Sequence, residues 1–258
     1  MATIRVDNLS KSFQALDVLK NVNLRVGDGE FIVIFGPNGC GKSTLLNCIA
    51  GLDEPSKGSV TIGGKPCKDA KVGFVFQNFQ ESVFPWLTVL DNVAFALQVQ
   101  GVASEEARKK ALKFIDDIGL KAFANEFPYN LSGGMKQLVS IARARAYNPD
   151  VLLLDEPFSA LDYQNKLFAE EQLLKVWQES KKTTVFVSHD VEEAVFLADK
   201  VVVLSKRPSA VKKIIPIPLK RPRTLDTRMR KEFFELKNKV LTEFKQQLNG
   251  GLAETRLG

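Results

Sequence analysis

Residues 36–44 read Gly-Pro-Asn-Gly-Cys-Gly-Lys-Ser-Thr, directly after the apolar run Phe31-Ile32-Val33-Ile34-Phe35. Strand, glycine-rich turn and helix, in that order, make a phosphate-binding loop. Gly36, Gly39 and Gly41 permit the sharp turns that point backbone N–H groups inward at an anion. A helix expected from Lys42 through Ala50 adds its N-terminal dipole at the same place. Lys42 can bridge the outer phosphates and the Ser43 hydroxyl suits Mg²⁺, while Pro37, Asn38, Cys40 and Thr44 fill out the loop. The pattern predicts an α/β chain built around a nucleoside triphosphate site.

At 258 residues the chain is long enough for one large α/β domain or a core with a subdomain. No apolar stretch approaches the roughly 20 residues that span a bilayer. The N-terminal Met1–Val6 reads as a strand and lacks the apolar region of a signal peptide. Cys40, Cys48 and Cys67 have no metal-ligand spacing, and an odd number argues against a disulfide framework. A cytoplasmic, reduced protein is expected. Cys40 stands at a helix start, which lowers a thiol pKa. Alkylation there is expected to block nucleotide binding, and bound ATP to protect it.

The net charge of +6 is unevenly placed, because Lys200–Lys231 holds eleven Lys or Arg against one acid, Asp226. Such a stretch can meet nucleic acid, anionic lipid or solvent. Prolines 208, 216, 218 and 222 divide the charges among strands and turns, which favours solvent.

Short β-rich runs occupy the first 76 residues: Thr3–Val6, Asn21–Val26, Phe31–Phe35, Ser59–Ile62 and Lys71–Phe76, with a tight reversal at 26–29. From about Val89 to Ala146 the pattern is helical. Ala103–Ile118 places apolar residues at 107, 111, 114, 115 and 118, one stripe of a helix with Ser104 as its expected cap. Continuous apolar runs at Val151–Leu154, Thr184–Val187 and Lys200–Leu204 suit strands covered on both faces, and Tyr163–Lys181 reads as a crossover helix. The expected organisation is a core of residues 1–77 and 149–225 with a helical insert at 78–148. A final helix at 226–248 carries Met229, Phe233, Leu236, Val240, Phe244 and Leu248 on its docking side, and a flexible tail follows at 249–258.

Val151–Leu154 runs into Asp155-Glu156-Pro157. A carboxylate closing a central strand beside a phosphate loop is where nucleotide-bound Mg²⁺ needs a partner, and Asp155 fits. Glu156, one residue on, can reach the water that attacks the γ-phosphate as base or polariser; a plain capped strand end is the other reading. His189, the only histidine, closes the Thr184–Val187 run within Ser188-His189-Asp190. It is either a surface residue or a γ-phosphate contact on the ligand side of the sheet. Gln77 follows Val72–Phe76 and can reach Mg²⁺ or the attacking water. Ser132-Gly133-Gly134 opens a second helix, as an ordinary cap or as a second anion site. A second anion site so far along the chain suggests that each copy supplies half a site to another.

Together these residues resemble the ATP-binding subunit of an ABC transporter over residues 1–248. Gly36–Thr44 resembles the Walker A motif, Gln77 the Q-loop glutamine, and Leu131-Ser-Gly-Gly-Met-Lys-Gln137 the signature. Val151–Pro157 resembles Walker B with Glu156 as catalytic glutamate, Ser159-Ala-Leu-Asp162 the D-loop, and His189 the switch histidine. Met135 stands where the family more often has glutamine, a change expected to leave activity intact. Phe84-Pro-Trp-Leu-Thr-Val89, His189–Asp199, Lys206-Arg-Pro-Ser209 and Pro218–Arg223 are similar to the nitrate, sulfonate and taurine importer group.

The resemblance implies a P-loop NTPase fold: a RecA-like core, an antiparallel β subdomain and an inserted helical subdomain. It implies ATP and Mg²⁺, the metal on Ser43, Gln77 and Asp155. It also implies a head-to-tail dimer in which each ATP meets one copy's Walker A and the other copy's Ser132, Gly133 and Gly134, with Asp162 near the shared nucleotide. Phe13 falls where the family stacks an aromatic ring on adenine, although it could equally be core. Transmembrane permease subunits are the implied partners, engaged through Gln77 and the following segment including Trp86, and a solute-binding protein is an indirect one. No nucleic acid partner is expected, and the implied location is peripheral, on the cytoplasmic face of the cell membrane. No counterpart of the large C-terminal regulatory domain of some sugar importers is expected. Cargoes weighed besides nitrate, sulfonate or taurine are a thiamine-pyrimidine or riboflavin precursor and a polyamine. A non-transport ABC ATPase and an ATP sensor are the remaining rivals, the sensor disfavoured because Glu156 and His189 are both present.

Overall fold

The computed structural model describes residues 2–77 and 83–253, with side chains through Gln246. Met1, residues 78–82, the side chain of Leu248 and the end of the expected tail lie outside the described residues. In chain order the elements are β1 (Ile4–Phe13), β2 (Leu16–Val26), β3 (Phe31–Phe35), α1 (Lys42–Ala50), β4 (Lys57–Ile62) and β5 (Lys65–Pro66). There follow β6 (Val72–Val75), α2 (Val89–Gln98), α3 (Ser104–Asp117), α4 (Gly133–Ala146), β7 (Val151–Asp155) and α5 (Tyr163–Ser180). The chain closes with β8 (Thr183–Ser188), α6 (Val191–Leu197), β9 (Lys200–Leu204), β10 (Val211–Pro216) and α7 (Lys231–Ala253). They form two compact units, residues 1–70 with 182–258, and residues 71–181.

The first unit holds two sheets. One is antiparallel, in the order β2-β1-β4-β5. The other has β3 parallel to both β8 and β9, with β10 antiparallel on β9. Every residue of β3 and β8 is buried, as continuous apolar runs require when both faces are covered. β1 extends to Phe13, past the expected Val6, because Asn8 at φ 50 absorbs a register shift against β2. The hairpin between them turns at Gln14, also left-handed at φ 52. The reversal at 26–29 is not a hairpin: β2 and β3 belong to different sheets, and the turn passes the chain from one to the other.

At the end of this unit, Leu225–Met229 forms a 3₁₀ turn before α7 begins. Met229 is therefore off the helical stripe and 80% exposed, whereas Phe233 and Val240 are buried. The Phe244 ring meets Phe35 of β3 edge-on at 5.0 Å, so α7 docks on the core sheet. Much of the basic stretch is engaged by the chain's own acids and carbonyls. Arg221 pairs with Asp199, Arg228 with Glu192, and Arg223 is buried among backbone oxygens.

In the second unit β6 lies parallel to β7, from Val72↔Val151 to Val75↔Leu154. Gly73 lets β6 approach α4, since a Cβ there would sit 3.1 Å from the Ala144 carbonyl oxygen. Ala107, Ala111 and Ile115 form the buried stripe of α3. Its N-cap is Ala103, not Ser104, whose hydroxyl accepts a hydrogen bond from Gln98. Among the described residues no helix is long and apolar enough to cross a membrane.

Candidate active site

The phosphate loop leaves β3 at Gly36 and enters α1 at Lys42. Gly39 (φ 72) and Gly41 (φ 106) adopt the left-handed turns that the sequence predicts, and Gly41 caps α1 without any side-chain hydrogen bond. A glycine cap brings no side-chain oxygen to the helix start, which leaves room for an anion there. A Cβ at Gly39 would meet nothing within 4 Å, so the loop is open on that side. Asn38 and Ser43 are exposed, and Pro37 and Thr44 are half-buried. Lys42 is buried and donates to the Gly36 and Pro37 carbonyls at 3.1 and 3.2 Å, which folds its ammonium over the loop. This donor set fits a polyphosphate.

Cys40 corrects an expectation. The residue is 2% exposed, and burial pushes the thiol pKa up, outweighing the opposing pull of Lys42. The helix start is real, but desolvation of the thiolate costs more than the dipole returns. The reactive, low-pKa thiol expected at this position is absent.

His189 belongs to the same unit. Phe35 of β3 pairs with Ser188 of β8, so Gly36 and His189 each stand one residue past a paired position on adjacent parallel strands. Ser188 anchors this turn. Its hydroxyl donates to the buried Glu193 carboxylate and accepts from the Asp190 N–H at 2.9 Å, while Asp190 caps α6. Ser188 and Glu193 fall inside runs that the sequence marks, but the pattern gave neither of them a role. Phe13, at the end of β1, is 45% exposed with the Lys11 ammonium 4.8 Å from its ring, so it is not a core residue.

The second unit carries the other predicted residues. Val75 pairs with Leu154, so Gln77 and Glu156 each lie two residues beyond a paired position at the same end of β6 and β7. Asp155 is buried at the strand end, and Gln77 is exposed. Glu156 is held left-handed at φ 42, its carbonyl accepting from the Ser159 N–H and hydroxyl at 3.2 and 2.9 Å. Ser132 caps α4, its Oγ accepting from the Met135 N–H at 3.3 Å. Gly134 lets α4 approach α5: a Cβ there would lie 3.3 Å from that of Asn165. Gly133 is half-buried beside it. Asp162 caps α5, and its hydrogen bonds from Asn165 hold its carboxyl below the usual range.

An apolar face lies on this unit. Phe74, Phe84, Phe95, Val99, Arg143 and Tyr147 line a cavity of about 290 Å³. Phe84 stacks 5.5 Å from Trp86 and 4.7 Å from the Arg143 guanidinium, and Trp86 is 70% exposed. A larger cavity of about 680 Å³, beside Leu219, Arg230 and Leu236, is lined by none of the predicted site residues.

The sequence profile of the family described as ABC transporter matches residues 19–159. The chain is 46% identical to an uncharacterized ABC transporter ATP-binding protein of Methanocaldococcus jannaschii, over 95% of this chain and 92% of that protein. It is 39% identical to an aliphatic sulfonates import ATP-binding protein of Bacillus cereus, over 99% and 100%. Among solved structures it resembles a dimeric ATP-binding cassette in a post-hydrolysis state with ADP and Pi (TM-score 0.73, 37% identity, 84% of this chain and all of that one).

Proposed function

The chain belongs to the ABC transporter ATP-binding family, and we propose that it energises import of a small anionic solute, of the nitrate, sulfonate or taurine class, through a separate permease. The observation that carries the ATPase part is the phosphate loop, with two left-handed glycines and a helix start free of side-chain caps. The cargo class rests on the full-length similarity to a sulfonate import protein.

In this reading the loop N–H groups and Lys42 bind the β- and γ-phosphates, and the exposed Phe13 ring stacks on adenine. Ser43, Gln77 and Asp155 would hold Mg²⁺, which when bound offsets the charge of the phosphates. Glu156 accepts a proton from the attacking water, and His189 steadies the γ-phosphate. Ser132, Gly133 and Gly134 close on the nucleotide of a second copy, with Asp162 beside it. The aromatic face around Trp86 and Phe95 is the candidate seat for the permease, as a contiguous exposed apolar patch suggests. The subunit would then work peripherally on the cytoplasmic face of the membrane.

The test is co-purification of the tagged chain from gently solubilised native membranes. A multi-span permease and a solute-binding protein whose ligand is a small anion are expected. A binding protein loaded with a vitamin precursor or polyamine would overturn the cargo class. Soluble ribosomal or nucleic-acid partners would overturn transport itself.

A further inference from the structure

Lys206-Arg-Pro-Ser209 is a sequence mark that no step of the proposed cycle uses. In the structure its last residue touches the phosphate loop. Ser209 is 0% exposed, and its hydroxyl donates to the Cys40 carbonyl, sharing its proton with the Ser205 carbonyl at 2.9 Å. The backbone of Ser209 is fixed as well. Its N–H donates to the Val18 carbonyl at 2.8 Å, and its own carbonyl accepts from the Lys20 N–H at 2.8 Å. Leu19 thus bridges to Ser209 from the edge of β2.

The same segment of β2 also packs against the Cys40–Gly41 peptide. A Cβ on Gly41 would stand 2.7 Å from Val18 Cγ1 and 3.1 Å from Leu19 Cδ2. The peptide is therefore packed by β2 and held through its carbonyl by Ser209. In a planar trans peptide the carbonyl and the following N–H point in opposite directions. Tying the Cys40 carbonyl to Ser209 accordingly turns the Gly41 N–H away from Ser209, and fixes it there.

We propose that Ser209 is a positioning residue for nucleotide binding: its hydroxyl locks the Cys40–Gly41 peptide so that the Gly41 N–H is held ready for a phosphate oxygen. The proposal rests on the phosphate loop being the nucleotide site. The motif pattern alone could not supply it, because Ser209 lies 169 residues from Cys40. An unlocked peptide would sample both orientations, and binding would carry the cost of selecting one.

The experiment compares wild type, S209A and S209G by calorimetric titration with MgATP, by kcat at saturating ATP, and by the rate of iodoacetamide labelling at Cys40 read by peptide mass spectrometry. Loss of one buried hydrogen bond predicts an affinity weaker by about tenfold in S209A. The kcat should stay near wild type, since the groups that act on water are elsewhere. Cys40 should label faster, with little change in the unfolding temperature. S209G, which removes the side chain without any new contact, should behave alike. Wild-type affinity in both variants would overturn the proposal. So would a parallel fall of affinity, kcat and unfolding temperature, which marks general loosening. Failure of the wild-type chain to bind MgATP would instead sink the nucleotide reading itself.

Discussion

Glu156, the proposed base, sits in a backbone conformation that few side chains adopt. β7 ends at Asp155, and the next residue is forced to φ 42, where a side chain with a Cβ crowds the backbone. Each non-glycine residue in that region costs about 1–2 kcal/mol. Adjacent acids closing an apolar strand were legible in the sequence, and so was the likeness of Glu156 to a catalytic glutamate. The left-handed turn was not, because such turns are signalled by glycine or asparagine, and here a glutamate holds the place. A comparison of E156G with E156A isolates the strain. Both should lose turnover by about 10²–10⁴-fold, as expected for a general base. The glycine variant should be the more stable in urea by about 1 kcal/mol. Equal stability of the two would mean that the turn stores no strain. Cys40 teaches the opposite lesson, since its environment was read from the helix dipole while its burial, which prevails over the opposing pull of Lys42 and Ser209, is set by the tertiary fold.

At the level of elements, what the sequence made plain were runs whose pattern has one physical explanation. β3, β7 and β8 are continuous apolar strands, and α3 shows its buried face at 107, 111 and 115. The far end of β1 was hidden because Lys11 and Ser12 break the alternation and Asn8 inserts a bulge. The fate of the basic stretch was hidden too, because composition counts charges and not their partners. Arg223 is the sharpest case. Its guanidinium donates to five carbonyls, those of Val195, Phe196 and Ala198 at the end of α6, and of Ile217 and Leu219 in the strand exit. α6 is only seven residues long and begins two residues after His189, so this clamp supports the turn carrying the histidine. R223A should lower unfolding free energy by about 3 kcal/mol, because several buried carbonyls lose their donor together. R223K should recover less than half of that, since an ammonium lacks the planar fork. Urea midpoints decide the matter; an R223A protein within about 0.5 kcal/mol of wild type would show that the clamp holds nothing.

For the whole molecule, the predicted site residues divide between the two units. The phosphate loop, Phe13 and His189 belong to one, and Gln77, Asp155, Glu156 and the Ser132 cap to the other. Two helix starts suited to anions in one chain have a simple use if two copies share their nucleotides. Removing the base should then trap the pair. E156Q with MgATP should sediment at twice the 28.7 kDa of a single chain, while wild type under turnover should not accumulate the dimer. The more discriminating protein is E156Q/S132D. Aspartate caps a helix about as well as serine, so α4 should stay intact, and the phosphate loop of the same copy is untouched. A carboxylate would nevertheless face the partner's γ-phosphate, and like charges at close range repel. This double variant should bind ATP with the affinity of E156Q and remain monomeric in sedimentation. Dimerisation equal to that of E156Q would mean that the α4 cap takes no part in the shared site. Monomeric behaviour of E156Q itself would leave each chain closing on its nucleotide alone, or only when seated on its permease, and sedimentation with the purified permease separates those two cases.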